Sequence, residues 1–150
     1  MSSDRTASAS MIAIADCRPK GRGVVALRAF REGELIERAH IVLIPHAQLE
    51  HLEKTILSYY AFSWGPELND GAIATGLGCF YNHSFQPNAD YIKRMEETII
   101  DFVAIRDIAA NEEITVNYNG LPHDDTPLWF DRHRWGWFHP DGRRDDAHGP

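Results

Sequence analysis

The run Asn82-His83-Ser84-Phe85-Gln86-Pro87-Asn88 is the densest polar cluster in the chain, and it follows the small and apolar Leu77-Gly-Cys-Phe-Tyr81. Two asparagines and a proline in seven residues signal a turn, because Asn side chains bond nearby backbone and Pro fixes φ. About 30 residues further on stands Asn111-Glu-Glu-Ile-Thr-Val-Asn-Tyr118, a turn residue followed by a β-branched run that ends on a tyrosine. A third element, Gly21-Arg-Gly23, lies upstream of both.

Outward from these segments, Gly23–Leu27, Ile41–Ile44, Ile99–Val103 and Ile114–Tyr118 have strand length and β-branched enrichment. They predict a β-rich α+β domain of short strands. One stretch has a helical period: after Pro45, the residues Leu49, Leu52, Ile56, Leu57 and Tyr60 recur on one face, which predicts one main helix at about 46–62. A weak internal repeat appears when Arg28–Ile36 is laid on Arg106–Ile114. Gly33 and Asn111 then share a turn position, and both residue types accept positive φ readily.

The two ends differ from the middle. Residues 1–10 are small and polar and 141–150 charged, so both are expected to be disordered or flexible, leaving a domain at 11–120 and an aromatic closing segment at 121–140. At 150 residues with 43% hydrophobic content the chain suits one domain. Cys17 and Cys79 are its two cysteines, too few for a Cys-rich zinc site or a disulfide framework. No apolar run approaches a signal peptide or a membrane span, so a soluble cytoplasmic protein is the expectation. The net charge of −7 disfavours direct nucleic-acid binding and suits basic protein or peptide partners.

Gly21-Arg-Gly23, then Asn-His-Ser-x-x-Pro-Asn, then Glu-Glu-Ile-Thr-x-x-Tyr, in that order and spacing, resemble the SET-domain family over about Lys20 to Gly120. The glycine pair alone carries little; the second element at its distance from the third is specific. The resemblance implies the SET (β-clip) fold with a knot-like crossing of the second and third elements, and an S-adenosylmethionine-dependent methyltransferase acting on a lysine of a protein.

By the same resemblance Gly21, Arg22 and Gly23 lie against the cofactor's methionine part, and Asn82 and His83 hold its amino group and adenine edge, partly through the main chain. Tyr118 is the catalytic residue; taken alone it reads as a half-buried strand tyrosine. Tyr91 lines the lysine channel, with Tyr60 a weaker candidate whose spacing points first to core packing. Trp129 is the first choice for an aromatic face on adenine, ahead of Trp135 and Trp137, although each also reads as simple cover for an open end. His83 reads as a structural histidine, and no metal ligands are expected.

Three departures mark a divergent member: Cys79, Phe85 and Asn117 stand where arginine, cysteine and aspartate are frequent in the family. None removes a group that methyl transfer needs. Two alternatives stay open, a non-catalytic SET-fold binding module and an unrelated β-rich protein that binds no cofactor. A small-molecule amine also remains possible as acceptor.

Overall fold

The computed structural model describes residues 10–128. Trp129, Trp135 and Trp137 lie outside these residues. The chain forms strands β1 (Ile12–Asp16), β2 (Arg22–Ala26) and β3 (Leu35–Ile44), a short helix α1 (Leu49–Glu53), then β4 (Phe62–Trp64), β5 (Asp70–Ala74), β6 (Asn82–His83), β7 (Ala89–Arg94), β8 (Ile99–Ala104) and β9 (Glu113–Val116). Two sheets result, a four-stranded one in the order β1-β2-β9-β6 and a five-stranded one in the order β4-β5-β3-β8-β7. All pairings are antiparallel except that of β6 with β9.

The β8 strand shows why a short apolar run becomes the centre of a sheet. It pairs with β3 on one edge and β7 on the other, and Ile100, Phe102 and Ala104 point into the core with Val24, Phe30, Ile108, Ile114 and Val116. Asp101 faces the opposite way and is 2% exposed. It is held there by a two-pronged contact from Arg38 (2.7 and 2.9 Å) and by Arg94 Nε (2.6 Å), from the strands on either side. A buried carboxylate needs such partners.

The internal repeat is a physical one. Phe30 and Ile108, equivalent under a shift of 78 residues, form a reciprocal antiparallel bridge. Gly33 N–H donates to Ala104 O and Asn111 N–H to Ala26 O, which is the same bond under the same shift. Arg28 pairs with Glu34 and Arg106 with Glu112, while each glutamate also accepts from a backbone amide of its own turn, Arg31 or Ala109. Gly33 (φ 86°) and Asn111 (φ 69°) supply the left-handed turn residue in each unit. Two like turn-strand units therefore face each other about a local pseudo-twofold axis.

The expected single helix at 46–62 is shorter and broken. A 3-10 turn at His46–Gln48 leads into α1, and a second 3-10 turn covers Ile56–Tyr59. Thr55 causes the break: it is extended, its hydroxyl donates to Leu52 O, and it accepts from Leu57 N–H. Nor does the whole apolar face meet a core: Ile56 and Leu57 remain exposed, while Leu49, Leu52 and Tyr60 are half-buried, with Leu49 against Gly71 of β5. Phe62, at the end of the expected helix, is instead in β4 beside Ala72.

Candidate active site

The site grows from the parallel pair β6–β9. Asn82 stands opposite Thr115 and His83 opposite Val116, and Ser84 N–H donates to Val116 O at 2.9 Å. Main-chain groups of a strand alternate in direction, so the His83 N–H and C=O are directed to the edge of the sheet away from β9. The turn after β6 then brings Asn88 back to β9. Its Nδ2 donates to Glu113 O (2.7 Å) and its Oδ1 accepts from Thr115 N–H (2.9 Å). The two motifs are thus joined at two levels, once by backbone and once by a buried side chain.

Tyr118 stands two residues beyond the end of β9, and its backbone N–H donates to His83 Nδ1 at 3.1 Å. That contact makes Nδ1 an acceptor and assigns the proton of the neutral ring to Nε2. Tyr118 has 42% of its surface exposed, while its hydroxyl turns inward and donates to Tyr81 O at 2.7 Å. Burial pushes the phenol above its ordinary range, and Glu113, Tyr60, Tyr91 and Cys79 act in the same direction. The hydroxyl is therefore a protonated, oriented group at neutral pH.

Tyr91, in β7, donates to Tyr118 O at 3.3 Å and packs edge-on against Phe62 with centroids 5.3 Å apart. Burial raises its pKa to about 12. Tyr60 packs edge-on against Phe80 at 6.0 Å, and the Arg22 guanidinium lies 4.9 Å from the Phe80 centroid on the other side of the motif. The structure so brings Tyr60, Tyr91 and Tyr118 to one place, beside Phe62, Cys79 and Phe80. Tyr81, whose carbonyl anchors Tyr118, is itself fixed by donating to Glu37 Oε1 (2.9 Å) and by stacking on Phe102.

Arg22 and Gly23 open β2 and lie against Asn82, with Gly21 just before the strand. Gly21 has φ 85° with open space beside it, whereas a Cβ at Gly23 would meet Asn82 Nδ2 at 2.6 Å and both Cys17 Sγ and Glu113 Oε1 at 2.8 Å. Glu113 is the hub here: Oε1 accepts from Asn82 Nδ2 (2.8 Å) and Oε2 from Lys20 Nζ (2.9 Å). Asn82 Nδ2 also reaches Arg22 O at 3.3 Å. Both neighbours of Nδ2 are acceptors, so the amide is fixed and Oδ1 is the atom that can accept from an ammonium. Asn88 and Glu113 stand inside the two motifs, but their individual contacts join residues far apart in sequence and leave no local signal. Among the described residues no three His, Cys, Asp or Glu side chains gather as a metal site, and no helix is long and apolar enough to cross a membrane.

A family model described as the SET domain matches residues 21–119. A histone-lysine N-methyltransferase of Schizosaccharomyces pombe, named as specific for lysine-37 of histone H3, is 32% identical over 123 residues, which cover 81% of this chain and 78% of that protein. A solved structure from Plasmodium falciparum, titled "putative histone methyltransferase", superposes with a TM-score of 0.57 at 26% identity, covering 71% of this chain and 96% of the other. The motifs, the parallel joining of β6 to β9 and the match over residues 21–119 lead to one conclusion: the chain belongs to the SET-domain family.

Proposed function

We propose that the protein is an S-adenosylmethionine-dependent protein-lysine N-methyltransferase with Tyr118 as its catalytic residue. The observation that carries this reading is the Tyr118 hydroxyl, held in its protonated form on Tyr81 O where the two motifs join. A similar protein named as a histone-lysine methyltransferase supports the reaction class.

The residues present fit the cofactor. Asn82 Oδ1 is an acceptor for its ammonium, the His83 main-chain groups at the sheet edge suit the two-sided polar edge of adenine, and Gly21 leaves the approach to the backbone open. Trp129 is assigned the adenine face in this reading. When bound, S-adenosylmethionine supplies a methyl group on a positively charged sulfur.

The chain's own residues do the rest by position. An oxygen that donates its one proton to Tyr81 offers lone pairs to an amine N–H, so Tyr118 orients the lysine nitrogen. A lysine entering among Tyr91, Phe62, Tyr60 and Phe80 leaves water, which lowers its pKa from about 10.4 and favours the neutral amine. No general base is required at the nitrogen. The net charge of −7 favours a lysine in a basic protein or peptide.

Incubation with labelled S-adenosylmethionine and cell lysate, followed by mass spectrometry, tests the reaction. Label on protein lysines is expected, with Tyr118→Phe lowering the rate about 100-fold. Transfer untouched by that substitution sinks the role of Tyr118. A rise in Tm with S-adenosylhomocysteine but no transfer to any acceptor favours the binding-module alternative.

A further inference from the structure

The five-stranded sheet ends in β4 on one side and β7 on the other, yet these two terminal strands approach each other across the site. Phe62 of β4 meets Tyr91 of β7, and one step along, Lys93 of β7 reaches over to β4. Its Nζ donates to Ser63 O at 2.7 Å and to Ser63 Oγ at 3.3 Å, and lies 6.0 Å from the Tyr91 ring centroid. A half-buried ammonium normally stands beside a carboxylate. None of the seven ion pairs among the described residues includes Lys93, although the chain carries 22 acidic side chains. Two cations nearby are matched, Lys20 to Glu113 and Arg94, next in sequence, to Asp101, while Arg22 lies over the Phe80 ring and, like Lys93, is in none of these ion pairs. Burial without a counter-charge lowers the Lys93 pKa.

We infer that Lys93 is a specificity-determining residue that binds a carboxylate flanking the target lysine of the substrate. The inference rests on the proposed lysine methylation and narrows its substrate. Positions i and i+2 of a strand share a face, so Tyr91 and Lys93 lie about 7 Å apart on the same side of β7. A lysine beside Tyr91 therefore puts its close neighbours in the substrate within reach of Lys93. The acceptors that Lys93 now holds are neutral, and exchange of a carbonyl for a carboxylate adds a full opposite charge to the hydrogen bond. The substrate so implied is basic overall, to suit the acidic chain, with an Asp, a Glu or a C-terminal carboxylate close to the modified lysine.

The test is a peptide library with one central lysine, in which each flanking position is fixed in turn as Asp, Asn or Arg, assayed with S-adenosylmethionine against the wild type, Lys93→Met and Lys93→Glu. The expected result is that one flanking position prefers Asp over Asn by about tenfold in kcat/KM. Lys93→Met removes that preference and Lys93→Glu turns it toward Arg, with both variants still turning over peptides neutral at that position. Turnover without any preference at any position overturns the inference and leaves the methyltransferase reading intact. A lower Tm in Lys93→Met with the preference unchanged also overturns it, since the lysine then only protects the β4 edge. Mass spectrometry of the enzyme showing a methyl group on Lys93 overturns it in favour of self-modification. Absence of transfer to every peptide and to lysate proteins sinks both readings together.

Discussion

Replacement of Asn88 separates the role of the crossing from that of the residues around it. Asn88 is 1% exposed, and its amide holds two backbone groups of β9, Glu113 O at 2.7 Å and Thr115 N–H at 2.9 Å. Asn88→Ala leaves a buried donor and a buried acceptor without this partner. Each is worth about 1–3 kcal/mol, so the loss is about 4 kcal/mol, a large share of the roughly 5–15 kcal/mol that holds a domain folded. Asn88→Asp keeps the acceptor for Thr115 but sets an anion against Glu113 O and close to the Glu112 carboxylate, whose Oε1 is 3.4 Å from Nδ2. Burial and repulsion then raise the introduced carboxyl's folded pKa above its unfolded value of about 3.9. The sign follows: the penalty is full above the raised folded pKa and shrinks as pH falls through it, because the protonated acid can again donate to Glu113 O. Urea denaturation of wild type, Asn88→Ala and Asn88→Asp at about pH 7 and about pH 5 reads both effects as differences at the same pH. The alanine gap should hold steady while the aspartate gap narrows at the lower pH. An alanine loss below about 1 kcal/mol, or an aspartate gap that ignores pH, refutes the reasoning.

Two further substitutions probe the sheet and the channel. Asp101, held by the hydrogen bonds of Arg38 first and then Arg94 against the opposing effect of burial, has its pKa lowered from 3.8 to about 2, so its contribution is full above pH 3.8 and is lost as pH falls through about 2. Asp101→Asn should cost about 2 kcal/mol at pH 7, less than a fully buried pair because both guanidinium groups are half exposed, and should flatten Tm against pH in that acid window; an unchanged acid profile counts against it. Tyr91→Phe removes the donor to Tyr118 O at the wall of the proposed lysine channel and should shift products toward higher methylation states with a stability loss of about 1 kcal/mol; equal mono-, di- and trimethyl ratios in wild type and variant would undo the assignment of Tyr91.

What could be read from the sequence divides along a physical line. The motifs at 82–88 and 111–118 were legible because their chemistry is local: Asn and Pro make the turn, the β-branched run makes β9, and the tyrosine stands two residues beyond that strand. The helix was over-extended for a related reason, since periodicity reports which residues share a face and not whether a core exists to receive it, and Thr55 ends the turn by its own hydroxyl. Glu113 between Lys20 and Asn82, and Lys93 on Ser63, could not be read at all. Those contacts join residues 30 or more positions apart, and they exist only after β9 has entered between β2 and β6 and the five-stranded sheet has brought its end strands together. The internal repeat lies between these cases. As nine residues of similarity it carried little weight, but each half supplies the same arginine–glutamate pair, the same left-handed turn residue and the same backbone donor, and each donor finds its acceptor in the other half. A chance likeness of two surface turns predicts no such reciprocity. The pairing also explains how the site is held: the second unit runs into β9, so the bridge between Phe30 and Ile108 that locks the two units together also fixes the strand that leads to Tyr118, the proposed catalytic residue.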